Sequence, residues 1–371
     1  MKKIFTLTLI GLLFLNSWVY AQSIETKLQA VIDSIYAANP TSIGIVIHVE
    51  SPNHRLSWSG SVGYADSEEK TELMPDQPAL IASSIKPYIA ATILRLQELG
   101  KLSIEDPVYD RLSKETIELF ELDGYVLNHI KIKNLLSHTS GIEGYDKMEF
   151  LDWIGDHPSY RWSRDDLLRQ AVKMGDPLGS PEEVYHYADA NYLLCTEIIE
   201  GVTNKPFYVS IRELLKYDEF EFDDTWFPTL EEKNKATKPL IHQYWGEKNW
   251  DSHNIDISWD LYGGGGIATT TEEISQFYYN LFNGKIIEDE IIFNQIFTEV
   301  KTKDGKERKY YLGISEGEIM GYKSYGHGGF WGTLAAYFPE LDVSIAVFIS
   351  ERDKRALRQE VANQIIELLV E

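Results

Sequence analysis

The chain switches between two hydrophobic periods, and the switch points divide it into blocks. Ile24, Leu28, Ile32 and Ile35 recur at helical spacing and Pro40 ends the run, which predicts an amphipathic helix over residues 22–39. Residues 42–50, SIGIVIHVE, are β-branched and read as a strand. A second strand over roughly residues 55–64, after Pro52-Asn53, completes a hairpin. From Ser83 to about residue 250 the spacing is mostly helical, with a short helix over 130–136 and others over 163–174, 190–202 and 206–216. Gly263-Gly264-Gly265-Gly266 then interrupts the chain. No Gly-Lys-Ser/Thr follows, so the run is not a phosphate loop; it lets backbone turn or pass close to another segment. Thr270 is placed to cap a helix over 271–283, with Glu272 and Glu273 in its first turn. Strand patterns return at residues 310–316, 331–338 and 343–349, the last almost continuously apolar, as a strand covered on both faces would be. An amphipathic helix over 354–370 closes the order.

This order predicts an α+β sandwich. The strands of both ends join one antiparallel sheet, the terminal helices cover it, and a large mostly helical insertion lies between. Residues 22–82 and 255–371 are assigned to the sheet domain and residues 83–254 to the helical one, with a ligand cleft where they meet.

Residues 1–21 form a different object. Lys2 and Lys3 precede an apolar core from Ile4 to Leu15, and Val19-Tyr20-Ala21 is a small-residue cleavage site. That is a secretory signal peptide, cleaved near Ala21, so the protein is expected to be exported to a periplasm or secreted, with no stable membrane span afterwards. The 371 residues are 43% hydrophobic and 25% charged, ordinary globular values. The net charge of −23 becomes about −25 once Lys2 and Lys3 leave with the leader. Such a surface repels phosphate backbones and anionic lipid, which excludes nucleic-acid partners and leaves a small-molecule or peptide substrate. The single cysteine, Cys195, lies in an apolar helical run and permits no intramolecular disulfide. Residues 218–224 read as a solvated acidic loop with tucked aromatics.

The chemistry begins at Ser83-Ser84-Ile85-Lys86. A serine with a lysine three residues on shares one helix face with it, so the Lys86 ammonium can reach the Ser83 hydroxyl at the helix start. Tyr187 offers a proton relay, provided a cation such as Lys86 lowers its pKa. In Tyr325-Gly326-His327-Gly328-Gly329-Phe330, the glycines let a substrate lie along a strand edge. The N–H of Phe330 and that of Ser83 then form an oxyanion hole. Ser137 and His138 do not make a triad, because no carboxylate is placed to orient the histidine. The sequence has no H-E-x-x-H and no clustered His/Cys spacing, so neither metal nor other cofactor is expected.

Five stretches occur in the order of a known superfamily: IASSIKPYIAATILRLQELGKLSIEDPV, NLLSHTSGI, PEEVYHYADANYLL, GGGGIATTTEEISQF and GHGGFWGTLAAYFPE. Together they span nearly the whole mature chain, which resembles the serine β-lactamase and DD-peptidase superfamily, closest to its class C β-lactamase-like branch with penicillin-binding proteins, D-aminopeptidases and some esterases. The resemblance implies a β-lactamase/transpeptidase-like fold. It implies that Ser83 is the acylated nucleophile, Lys86 its activating partner and Tyr187 the relay tyrosine. His327-Gly328-Gly329 takes the place of the K-T-G strand, and NLLSHTSGI and the glycine run hold the fold. Two residues depart from the pattern. Asp189 stands where Asn is common, and it can donate no amide hydrogen bond to a substrate. His327 replaces the strand lysine and is only partly charged near neutral pH. Asp189, His327, Gly328 and Gly329 are the expected substrate contacts. The departures favour an ester or an amine-bearing D-amino-acid peptide over a β-lactam. A β-lactamase proper, or a slow-deacylating penicillin-binding receptor, is the alternative. Trp153, Trp162, Trp226, Trp245, Trp250 and Trp331 either wall the cleft or pack.

Overall fold

The structure is a computed structural model that describes residues 24–306 and 308–371. The strands are β1 (Gly44–Ser51), β2 (Leu56–Gly63), β3 (Ala79–Leu80), β4 (Tyr244–Trp245), β5 (Trp250–Asp251), β6 (Ala268–Thr269), β7 (Ser315–Ile319), β8 (Tyr322–Gly328), β9 (Thr333–Phe338) and β10 (Val343–Ile349). Six of them form one antiparallel sheet in the order β2-β1-β10-β9-β8-β7. Strands from both ends of the chain therefore meet at its centre, where Ile45 faces Ile349 and Val49 faces Ile345.

The alternation along β1 and β10 sorts their side chains into two cores. Ile45, Ile47, Val49, Ile345, Val347 and Ile349 face the terminal helices, α1 (24–38) and α12 (Leu357–Val370). Val46, Ala346 and Phe348 face the opposite core, with Ile274 and Phe277 of α10 (Thr271–Phe282). Apolar cover on both sides explains why both strands are buried throughout.

Behind α10 lies the helical block. It contains α2 (Lys86–Glu98), α3 (Lys114–Leu122), α4 (Ile132–Leu136), α5 (Met148–Asp156), α6 (Arg164–Met174), α7 (Ala190–Thr203), α8 (Phe207–Leu214) and α9 (Tyr217–Phe220), with α11 (Glu290–Asn294) after α10. Helix α2 is buried on nearly all sides, and its Tyr88 ring stacks on Phe277 of α10 at 3.7 Å. Cys195 is buried in α7.

Three elements differ from the sequence expectation. Residues 310–314 form no strand: Gly313, at φ +77, turns the chain, and Leu312 and Ile314 go into the core. Strand β9 starts at Thr333 rather than at Trp331, because Gly332 at φ +105 closes a turn first. Strand β8, expected only as the strand edge at His327, runs back to Tyr322 with no apolar alternation to announce it, since five of the seven residues of YKSYGHG are charged, polar or glycine. In the acidic stretch 218–224, α9 forms and Phe222 is buried, as a tucked aromatic should be. The expected signal peptide lies outside the described residues, and among the described residues no helix is long and apolar enough to cross a membrane.

Thr270 Oγ1 accepts the N–H of Glu273 at 3.2 Å and caps α10. Burial pushes the Glu273 carboxyl up to about 8, although the Thr225 hydroxyl and the Asp224 N–H donate to it. A carboxyl with a raised folded pKa binds its proton more tightly in the native state. Its contribution is complete below the unfolded value near 4.5 and is lost as pH rises toward about 8. Glu273→Gln is therefore expected to flatten the decline of stability between pH 5 and pH 8.5, as measured by urea midpoints. Parallel curves for the two proteins would contradict this.

Candidate active site

The approach to Ser83 is fixed before the residue is reached. β3 pairs with β6, and the Gln243 side chain accepts from Leu80 N (2.9 Å) and donates to Leu80 O (3.0 Å). Ala82 then adopts φ +46, a strained conformation for a residue with a Cβ. The kink sets Ser83 in a 3-10 turn, Ala82–Ile85, that runs straight into α2. Thr333 Oγ1 donates to Ile81 O (3.0 Å) and Ser84 Oγ to His327 O (3.3 Å), so this turn is stapled to β8 and β9. Ser83 stays partly exposed, whereas Lys86, one turn on, is fully buried.

The Lys86 ammonium donates to Ser83 Oγ at 3.1 Å, to Asp189 Oδ1 at 2.7 Å and to Gly264 O at 3.1 Å. All three of its protons are thus placed. The glycine run is required here: a Cβ on Gly265 would stand 2.0 Å from Asp260 Oδ2 and 2.7 Å from Ala82 Cα. Asp189, expected to face substrate, instead pairs with Lys86, because the turn before α7 aims its carboxylate inward. Two further acids, absent from the sequence reading, share this field. Burial first, then the Asp189 charge, holds Asp260 well above the usual carboxylate range. Asp146 is exposed as a residue, yet desolvation of its carboxyl and the Asp189 charge raise it to about 6.

Tyr187 lies with its ring 4.9 Å from Lys86 Nζ. Its hydroxyl is buried and makes no hydrogen bond among the described residues, although the Ser83 side chain is near enough to draw its pKa down in part. Burial outweighs that pull and Asp189 adds to it, so the pKa lies well above the ordinary tyrosine value. Tyr187 is therefore a neutral phenol at rest, and the lowering by Lys86 that the sequence made a condition for its role as a base is not met. The loop carrying it is held by NLLSHTSGI. His138, at φ +57, packs on the Tyr187 ring at 4.2 Å, and its Nδ1 accepts from Ala188 N at 3.2 Å. Ser140 Oγ donates to Asn191 Oδ1. His138 supports the site rather than forming a triad, in line with the sequence expectation.

His327 is buried, with Nδ1 2.7 Å from Gly328 O and Nε2 3.3 Å from Tyr310 Oη. Burial, then the Lys86 charge, pulls its pKa down to about 3. The ring is thus neutral through the physiological range, not partly charged as expected from its ordinary value. Gly329 passes so close to the nucleophile turn that a Cβ there would meet Ile81 O at 2.1 Å. Phe330 N–H, on the next residue, has no acceptor among the described residues. Its ring is fixed by Trp245 (5.3 Å), Trp259 (5.5 Å) and the Arg352 guanidinium (4.3 Å). Trp245, Trp250 and Trp331 accordingly pack behind Phe330, while Trp153 and Trp162 form a separate cluster with Tyr160. Asp146, Asp260, Trp259 and Tyr310 carried no local sequence signal; only the fold brings them here.

A buried lysine bound to a partly exposed serine, with a phenol and a free backbone donor beside them, is an arrangement that suits serine acyl-transfer chemistry. The family model described as Beta-lactamase matches residues 37–369. The chain belongs to the Beta-lactamase family. Among its relatives, "Putative penicillin-binding protein PbpX" of Bacillus subtilis (strain 168) is 27% identical over 325 residues, covering 85% of this chain and 73% of that protein. The chain spans only 30–39% of other curated relatives that it matches. The D-amino acid amidase from Ochrobactrum anthropi SV3, complexed with L-phenylalanine amide, superposes with a TM-score of 0.77 at 18% identity, over 94% of this chain and 98% of that one. "EstCE1, a hydrolase with promiscuous acyltransferase activity" gives 0.74 at 19% identity, over 95% and 99%. This member of the Beta-lactamase family is a serine hydrolase with the β-lactamase/transpeptidase-like fold that its motif order implied.

Proposed function

We propose that the protein is exported and cleaves an amide or ester bond through an acyl-enzyme on Ser83. The observation that carries this is the Lys86 Nζ to Ser83 Oγ hydrogen bond of 3.1 Å beside an unused Phe330 N–H. The substrate carbonyl enters between the Ser83 and Phe330 amides. Lys86 passes one proton to Asp189 across 2.7 Å and, as the free amine, takes the Ser83 proton. Ser83 Oγ bonds to the carbonyl carbon, giving a tetrahedral oxyanion. Tyr187 hands its hydroxyl proton to the departing amine or alcohol and recovers one from Lys86. Collapse leaves the acyl ester on Ser83. Water, deprotonated along the same route, then releases the acid and restores Ser83.

The substrate is neutral or carries a free amine. His327 is neutral where a lysine would hold a carboxylate, and Asp146, Asp189 and Asp260 surround the one lysine. Asp189 already neutralises Lys86, and Asp146, ionised above about 6, disfavours an anionic substrate and favours a cationic one. The fold shared with a D-amino acid amidase supports a D-amino-acid amide or small ester. These features argue against efficient β-lactam hydrolysis.

The test is intact mass of the mature protein after exposure to a D-amino-acid amide, an activated ester and a cephalosporin. Turnover of the amide or ester without lasting adduct is expected. A persistent cephalosporin adduct on Ser83 without ester turnover would instead identify a penicillin-binding receptor. Neither adduct nor turnover would refute both.

A further inference from the structure

One cation near the reacting centre has no acid partner among the described residues. Arg358 lies in the first turn of α12, on the face of the sheet opposite Ser83. Its position is unfavourable three times over. A positive charge opposes the dipole at a helix N-terminus. Burial and the neighbouring Arg355 both disfavour its charge, pulling its pKa down to about 10. These terms are offset where its guanidinium points.

It points at the turn after β8. Nη1 donates to Thr333 O at 2.6 Å and to Gly329 O at 3.3 Å. Gly329 C=O and Phe330 N–H are the two ends of one planar peptide unit. A guanidinium on the oxygen draws electron density from the nitrogen and strengthens the N–H as a donor. It also fixes the plane in which that N–H points. Thr333 O, the second acceptor, receives Gly329 N at 2.9 Å, and Gly332 N closes the turn on Gly329 O at 3.2 Å. Gly328 makes room: a Cβ there would sit 3.0 Å from Arg358 Nη2. The first glycine of His327-Gly328-Gly329 thus admits the guanidinium beneath the strand. With the Phe330 ring clamped by Trp245, Trp259 and Arg352, the peptide is held at its side chain and at its carbonyl.

We propose that Arg358 is a positioning residue for catalysis, orienting and polarising the Gly329–Phe330 peptide so that Phe330 N–H stabilises the oxyanion. This rests on the reading of Phe330 as an oxyanion donor. The strengthening acts when negative charge develops, so it belongs to the transition state rather than to substrate binding.

The experiment compares wild type with Arg358→Met on p-nitrophenyl acetate, with inhibition by phenylboronic acid and thermal unfolding measured alongside. Phenylboronic acid places a tetrahedral oxygen in the hole. Removing a whole oxyanion donor costs about 10²–10³ in kcat, so weakening one is expected to cost about 10–100-fold. KM should stay within about threefold, and the boronate inhibition constant should rise in parallel with the loss in kcat. Unchanged kcat and boronate affinity, in a wild-type background that does form the Ser83 adduct, overturns the proposal. So does a lowered melting temperature accompanied by unchanged boronate affinity, which marks a purely structural role. Should the methionine variant not fold, Arg358→Gln keeps one donor without the charge and is read on the same scale: an intermediate loss supports the proposal and wild-type values overturn it. Failure of wild type itself to acylate would refute the acyl-enzyme reading instead, and is seen before any variant is made.

Discussion

Ser83→Ala is expected to lower turnover of any substrate by about 10⁴-fold or more and to abolish the covalent adduct with a fluorophosphonate, read by intact mass. Nothing else in the site can replace it. Ser84 Oγ is turned away to His327 O and Thr333 Oγ1, and Ser140 Oγ is committed to Asn191. Folding should be nearly untouched, because Ser83 is partly exposed and its oxygen serves only the lysine; a shift above ~1 kcal/mol is not expected. A variant that folds and still turns over substrate within tenfold of wild type would end the acyl-enzyme reading.

Lys86→Met is expected to damage both activity and stability. Kinetically it removes the group that receives the Ser83 proton, a loss of at least ~10³-fold. Structurally it leaves Asp189 buried without its cation, beside Asp146 and Asp260. Breaking a buried pair by removing one partner costs about 3–5 kcal/mol. The sign of the pH effect separates this from a packing defect. Without the lysine, the raised pKa values of Asp146 and Asp260 rise further above their unfolded values. The native state then binds protons more tightly than the unfolded one, so acid restores stability and rising pH removes it. Urea midpoints for the variant should therefore recover between pH 7 and pH 5 relative to wild type. A deficit equal at both pH values would show that the acidic field around Lys86 is not what the lysine balances.

The legible parts of the chain were those whose information is local. The apolar run of β10 and the helical spacing of α1, α2 and α7 state their elements directly. Ser83 and Lys86 share a helix face by spacing alone, and motif order carried Tyr187 and Phe330. The charge states were not legible. His327 looked like a partial cation and is neutral because packing removes its water. Tyr187 needed a lowered pKa to act as a base and has a raised one for the same reason. Asp189 looked like a substrate contact, but one helix start points it at Lys86. Asp260 and Arg358 lie far along the chain from Ser83 and announce nothing in their neighbourhoods. Strand β8 was legible through its motif and not through its pattern, because the glycines that serve the site also erase the alternation of a strand.

The pairing of β1 with β10 has a consequence in time. Ile45 and Ile349 are about 300 residues apart, so the loop they close is long and sheets of this kind form slowly. β9 joins the sheet through β10, and β8 joins through β9. Helix α2, which starts at Lys86, is made of local backbone bonds and can form early, whereas the Phe330 turn gains its place only after the C-terminal strand has docked. The Ser83 turn is itself stapled to β8 and β9, so nucleophile and oxyanion hole are completed together, and a chain still in synthesis carries the serine without the site.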